Sequence, residues 1–153
     1  GVARMTLYNH FKSKDELILA TLRRRDEKFR NWFMRTVERL AKTPQDRLLS
    51  IFDTLDEWFT GKDFFGCMFI NASAEYSAPD DPIHMASVEH KTLVLKYLRE
   101  LSTATGVRES DVLADELMLL MEGAIVMAYV AGDHKAASHA KVAAGKLIQQ
   151  SRS

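Results

Sequence analysis

The chain has little of what interrupts helices: seven Gly and three Pro in 153 positions. Leu, Ala, Lys, Glu, Arg and Met are plentiful instead, and this balance favours an all-α protein. Alternation of period two is absent over any useful length, so no strand is expected. A single cysteine, Cys67, excludes an intrachain disulfide, and a reducing cytoplasm is the simplest home. There is no secretory signal. The most apolar stretch, 117–132, carries Glu122 in its middle and is shorter than the ~20 residues needed to span a bilayer. Excess charge is missing too: 21 Lys and Arg balance 21 Asp and Glu, which argues against a surface coated for nucleic acid.

The signals of catalysis are also missing. No Gly-rich phosphate loop or nucleophile elbow occurs, and the carboxylates are scattered over solvated helix faces. Cys67 lies on an apolar helix without an adjacent basic residue in the sequence, which points to inert burial. His84 and His90 are six apart, and His134 and His139 five apart. Neither pair has the one-face spacing of a helical zinc site, so no metal and no cofactor are expected. An enzyme would need converging polar groups that the sequence does not show.

What is present is a core and an asymmetry. With 46% hydrophobic and 27% charged residues, the chain is globular and long enough to bury one sizeable core. Residues 1–41 hold ten Lys/Arg against five Asp/Glu, and residues 42–153 hold eleven against sixteen. A basic front on an acidic body suits a small polyanion-facing element joined to something else, although ten cations on a solvated helix face would give the same count.

Helix punctuation divides the chain. A short helix over 4–11 stops near Phe11-Lys12. Ser13-Lys14-Asp15-Glu16 is a capping box that opens a long helix over 14–41, with Leu22, Phe29, Phe33, Val37 and Leu40 on one stripe. Thr43-Pro44 starts a helix over 44–60 with the stripe Leu48, Phe52, Leu55 and Phe59. Gly61 and the Gly66 region break it. A short apolar helix over 67–77 ends at "SAPDDP", and another runs from 82 to 105 and stops at Gly106. Ser110 or Asp111 caps a helix over 111–131 that ends at Gly132. Asp133 opens the last helix, to 150.

The helix at 111–131 is apolar nearly all round, and the last one offers a face of small residues. Two such helices cannot bury each other completely, so pairing with a second copy is expected through Leu117, Met121, Ala124, Ile125, Ala128, Ala137, Ala140, Ala144, Leu147 and Ile148. The alternative is that the helices at 44–60 and 82–105 cover them within the chain.

"GVARMTLYNHFKSKDEL" resembles the recognition-helix signature of the TetR family of transcriptional regulators. The matching elements are Gly1-Val2, Thr6-Leu7-Tyr8, His10-Phe11 and Ser13-Lys14-Asp15-Glu16-Leu17, and the match runs through some seventeen residues in register. "GCMFINASAEY" followed by "APDDP" is similar to a segment of one subgroup. The resemblance implies residues 1–13 as the end of a helix-turn-helix DNA-binding domain and 14–153 as an all-α, TetR-like effector-binding and dimerisation domain.

By the same resemblance, Thr6 and Arg4 or Asn9 approach base edges, and Tyr8, His10 and Lys14 hold phosphates. Tyr8 and His10 could instead be partly buried packing residues. The physics fits, because Val2, Leu7 and Phe11 lie on one side of the short helix and leave the polar side free. Two departures stand out. Ala3 occupies a position where the family commonly has a capping Ser, and the two helices that brace the recognition helix in the family are not in this sequence. The chain therefore reads as a fragment from which little specific DNA binding is expected.

In the resembled family a small effector binds among the helices that follow. Large adaptable side chains suit a pocket for a largely apolar effector. The candidates are Phe33, Phe52, Trp58, Phe59, Met68, Tyr76 and Met121, each of which could instead be core. Asn71 and Glu75, one turn apart in an apolar run, would contact a ligand or satisfy each other. The function implied is a homodimeric, ligand-responsive repressor acting on double-stranded operator DNA. The competing class is a dimeric ligand-binding or protein-interaction module without a DNA role.

Overall fold

A computed structural model of the chain describes Thr6, His10 and residues 11–153. Past residue 13 the order is α1 (Lys14–Leu40), α2 (Pro44–Phe59), α3 (Met68–Glu75), α4 (Pro82–Ala104), α5 (Ser110–Val130) and α6 (Ala136–Gln150). No strand occurs among the described residues. Helix α2 lies at the centre and packs on α1, α4, α5 and α6, while α4 is flanked by α1, α3 and α5.

The helix starts follow side-chain chemistry. The Ser13 hydroxyl accepts from the Glu16 N–H at 3.1 Å, and Glu16 reaches back to the Lys12 N–H at 2.8 Å. Two N–H groups that would lack helical partners are thereby satisfied. Thr43 caps α2 through the Asp46 N–H, with Pro44 in the first turn, and Asp81 caps α4 through the Ile83 N–H, again ahead of a proline.

Two starts differ from expectation. Neither Ser110 nor Asp111 caps α5, because the helix already begins at Ser110 and its hydroxyl meets Thr103 Oγ1 at 3.2 Å. Asp133 accepts from the Lys135 N–H at 2.8 Å and so shapes a turn, and α6 begins only at Ala136.

Gly66 has φ 76°, and a Cβ built there would lie 2.8 Å from the Tyr129 ring. Conformation and space both call for glycine. Gly66→Ala should lower the unfolding free energy by about 1–2 kcal/mol in urea titrations, the exposed ring giving way in part. A loss below ~0.3 kcal/mol would show that the turn relaxes freely.

The core is contiguous. Leu22, Phe33 and Val37 of α1 meet Leu48, Ile51, Phe52 and Leu55 of α2, with Leu113, Leu117 and Met121 of α5 beside them. Leu40, the last of the α1 stripe, is exposed.

The small residues of α6 let it lie close to α2: a Cβ on Gly145 would be only 3.8 Å from a Leu49 methyl, and Lys141 pairs with Asp53 at 2.8 Å. These are the faces expected to meet a second copy, and most of their surface is covered within the chain. Leu117, Met121, Ala124, Ile125, Ala137, Ala140, Ala144 and Ile148 are buried inside the single chain, and Ala128 and Leu147 are half-buried against the same core. A side chain already covered by its own fold has almost no surface left to lose to a partner. The open apolar face is the opposite side of α5, where Val112, Leu119, Val126, Met127 and Val130 are exposed.

Candidate effector site

Charge and apolar surface meet where the middle of α1 packs on α4, with α5 on the far side of a shared cavity. Asp26 and Arg30, one turn apart on α1, form a two-pronged pair with Nε–Oδ1 at 2.8 Å and Nη2–Oδ2 at 2.7 Å. From α4, the buried His90 places Nδ1 2.7 Å from Asp26 Oδ1. Since a carboxylate only accepts, Nδ1 carries the proton and donates. The imidazole stacks on Phe69, with centroids 3.7 Å apart and planes 9° from parallel, and Phe29 meets its edge.

Burial dominates the titration of this cluster. Loss of solvent pushes the His90 imidazole down to about 4 against the opposing pull of Asp26, and the Lys91 charge adds to the depression. For Asp26, desolvation is the largest single influence and would raise it. The hydrogen bonds from Arg30 and His90 and the charge beside them together outweigh it, so the carboxyl is held below its ordinary value. The site therefore carries a neutral imidazole on an ionised carboxylate at neutral pH.

Lys91, the next residue, turns the other way. Its Nζ donates to both Glu122 oxygens at 2.7 and 2.8 Å and to Cys67 Sγ at 3.4 Å. Cys67 thus has a basic neighbour after all, supplied from 24 residues away and invisible to adjacency in sequence.

Between the two polar groups lies a small cavity. Phe29, Trp58, Phe69, Val94, Met121 and Ile125 form its apolar wall, and Arg25, Lys91 and Glu122 its polar side. Its volume, about 10 Å³, is room for roughly one water molecule. Outside it, a cleft of about 790 Å³ opens between α1 and the turn after α2. Arg25, Phe29 and Trp58 line both spaces.

Of the residues expected around an effector, Trp58 and Met121 line the cavity. Phe33 and Phe52 are fully buried core, and Phe59 packs at a tilt against Trp58 and Phe64. Met68, Asn71 and Glu75 face solvent, so the polar pair on α3 is no buried network. Tyr76 is half-buried and donates its hydroxyl to Asp15 at 3.2 Å. The sequence reading missed Asp26, Arg30, His90, Lys91 and Glu122. The available signals were an i,i+4 charge pair inside an apolar stripe and a glutamate in the most apolar helix.

At the N-terminal end, Thr6 and His10 are helical and exposed, and Lys14 is exposed in the first turn of α1. Arg4, Tyr8 and Asn9 lie outside the described residues. No group of three or more His, Cys, Asp or Glu side chains among the described residues could hold a metal ion, and no described helix is long and apolar enough to cross a membrane.

The family model described as "Tetracyclin repressor-like, C-terminal domain" matches residues 44–144. The chain belongs to this TetR family. Among curated relatives, the HTH-type transcriptional regulator YjdC of Escherichia coli (strain K12) is 24% identical over 119 residues, 78% of this chain. The YjdC of Shigella flexneri matches equally. The chain spans 62% of the length of these relatives.

Solved structures agree on the TetR fold. A TetR-family transcriptional regulator from Streptomyces coelicolor superposes with a TM-score of 0.89 at 25% identity, over 98% of this chain and 79% of that one. A TetR regulator from Chloroflexus aurantiacus gives 0.78 at 25% identity, over 94% and 76%. The all-α, TetR-like class expected from the signature is the fold observed.

Proposed function

We propose that this chain is the effector-binding and dimerisation part of a cytoplasmic TetR-type regulator that binds operator DNA as a homodimer and is released by a small molecule. One observation carries the reading. Helix α1, 27 residues long and so about 40 Å, begins next to the recognition-helix signature and at its middle supplies Arg25, Asp26 and Phe29 to the cavity region. A ligand that parts α1 from α4 must tilt that rod, and the tilt moves whatever is joined to its first turn.

In a homodimer, two such rods would hold recognition helices for half-sites about one DNA turn, ~34 Å, apart. Coupling of this kind is worth ~1–3 kcal/mol and is reciprocal. Operator affinity of the full-length gene product, on a site selected from genomic DNA, should weaken about 5–150-fold when effector is added. Operator must weaken effector binding by the same factor. An effector that binds tightly while leaving the anisotropy titration of the operator unmoved would sink the mechanism.

A further inference from the structure

The cleft outside the cavity carries charge that the fold does not use. Its walls hold Arg25, Lys28, Arg35 and Arg39 of α1 and Lys62 of the following turn, against Glu57 and Asp63. Glu57 is already engaged by Arg39 at 2.8 Å. Among the described residues, Arg25, Lys28, Arg35 and Lys62 have no ion-pair partner. Like charges gathered on the wall of a concave site raise the local concentration of anions. The floor is aromatic: Phe29, Trp32 and Trp58 line the same space. At about 790 Å³, the cleft lies within the ~300–1,000 Å³ range of small-molecule sites.

Three residues are shared with the inner cavity, and they are of two kinds. Phe29 and Trp58, with ring centroids 4.9 Å apart, form the partition between cleft and cavity. Arg25 stands beside the partition and lines both sides. A guanidinium takes a carboxylate through two parallel N–H donors, which fixes orientation as well as position. A neutral ligand would cover these cations without replacing their water, and that is unfavourable.

Resting on the effector reading above, we propose that the cleft binds a small aromatic carboxylate. Its carboxylate sits on Arg25, its ring lies against Trp58, and the Phe29–Trp58 partition opens to let the ring toward the cavity. The ligand class is then an anionic aromatic acid and not simply the largely apolar molecule that the aromatic and Met content alone suggests.

The 153-residue chain can be titrated with 2-naphthoate, the neutral 2-naphthamide and inorganic phosphate, followed by tryptophan fluorescence and calorimetry. The expected result is saturable quenching by 2-naphthoate, with 2-naphthamide weaker by about tenfold or more and phosphate failing to compete at about 10 mM. Arg25→Gln, with its circular dichroism and melting checked, should weaken 2-naphthoate about tenfold and leave 2-naphthamide within about twofold. Arg35→Gln, farther from the partition, should cost less than Arg25→Gln. Equal affinity for acid and amide, indifference to Arg25→Gln, or full competition by phosphate would each overturn the proposal. If 2-naphthamide binds as tightly as the acid, the anionic class falls while an effector site stands, and the operator titration remains the separate test of the regulator reading.

Discussion

Taking the protein from pH 7 to pH 4 should lower its unfolding free energy by about 3 kcal/mol through His90 alone. The imidazole is 3% exposed and is pushed from 6.5 to about 4 by loss of solvent. Between these values the unfolded chain holds a proton at this residue that the folded chain does not. Unfolding therefore takes up a proton, and stability falls as pH falls. The contribution is complete above about pH 6.5 and is lost as pH drops toward 4; at about 1.36 kcal/mol per pH unit it comes to roughly 3 kcal/mol.

Asp26 adds to the loss only at lower pH, because a depressed carboxyl gives stability that disappears as pH falls below its ordinary value of 3.8. Urea unfolding at pH 7, 5.5 and 4 measures the slope. His90→Gln keeps a donor toward Asp26 and removes the titration, so the difference between the two proteins should flatten by the amount assigned to His90. A parent slope shared by His90→Gln would place the acid sensitivity elsewhere. The prediction bears on the site as well, since His90 ties α4 to Asp26 on α1. Acid should loosen the same joint that an effector is proposed to part.

The helices were legible because their ends are written locally. Ser13, Thr43-Pro44 and Asp81-Pro82 each place a side-chain acceptor where the first turn needs one, and Gly106 and Gly132 adopt the positive φ that closes α4 and α5. Ser110 failed as a cap for a reason no local pattern holds, a hydroxyl contact with Thr103 on the preceding helix. The cavity was hidden for the same kind of reason. His90 meets Asp26 across 64 residues, and Lys91 meets Glu122 across 31. Residue type suggested aromatic and Met candidates. Which of them face one another depends on the rotation of each helix about its axis, and that is set by packing. Helix α5 shows the difficulty plainly, since apolar residues on both faces leave sequence no means to tell the inner from the outer.

Replacing Leu119 and Val130 together by Asp should turn the proposed homodimer into monomers while leaving the fold of each chain intact. Both residues lie on the outer stripe of α5, 74% and 76% exposed within the single chain. Val112, Val126 and Met127 extend the stripe, and a Cβ added at Gly123 in its middle would meet nothing. Burying a large aliphatic side chain is worth about 1.5–3 kcal/mol. Across a two-fold axis each substitution counts twice and sets carboxylates near one another. A loss of about 4 kcal/mol or more follows, at least a thousandfold in Kd. Because these side chains touch little of their own core, the unfolding free energy of the monomer should move by no more than about 0.5 kcal/mol. Leu117→Ala makes the contrasting control: that residue is fully buried, and its truncation should cost about 3–5 kcal/mol of folding stability. Sedimentation velocity from about 1 to 100 μM separates the cases. A parent chain that stays monomeric throughout, or a double variant that still dimerises, would remove the outer stripe of α5 as the interface, and with it the two-fold spacing of recognition helices on which operator binding is proposed to depend.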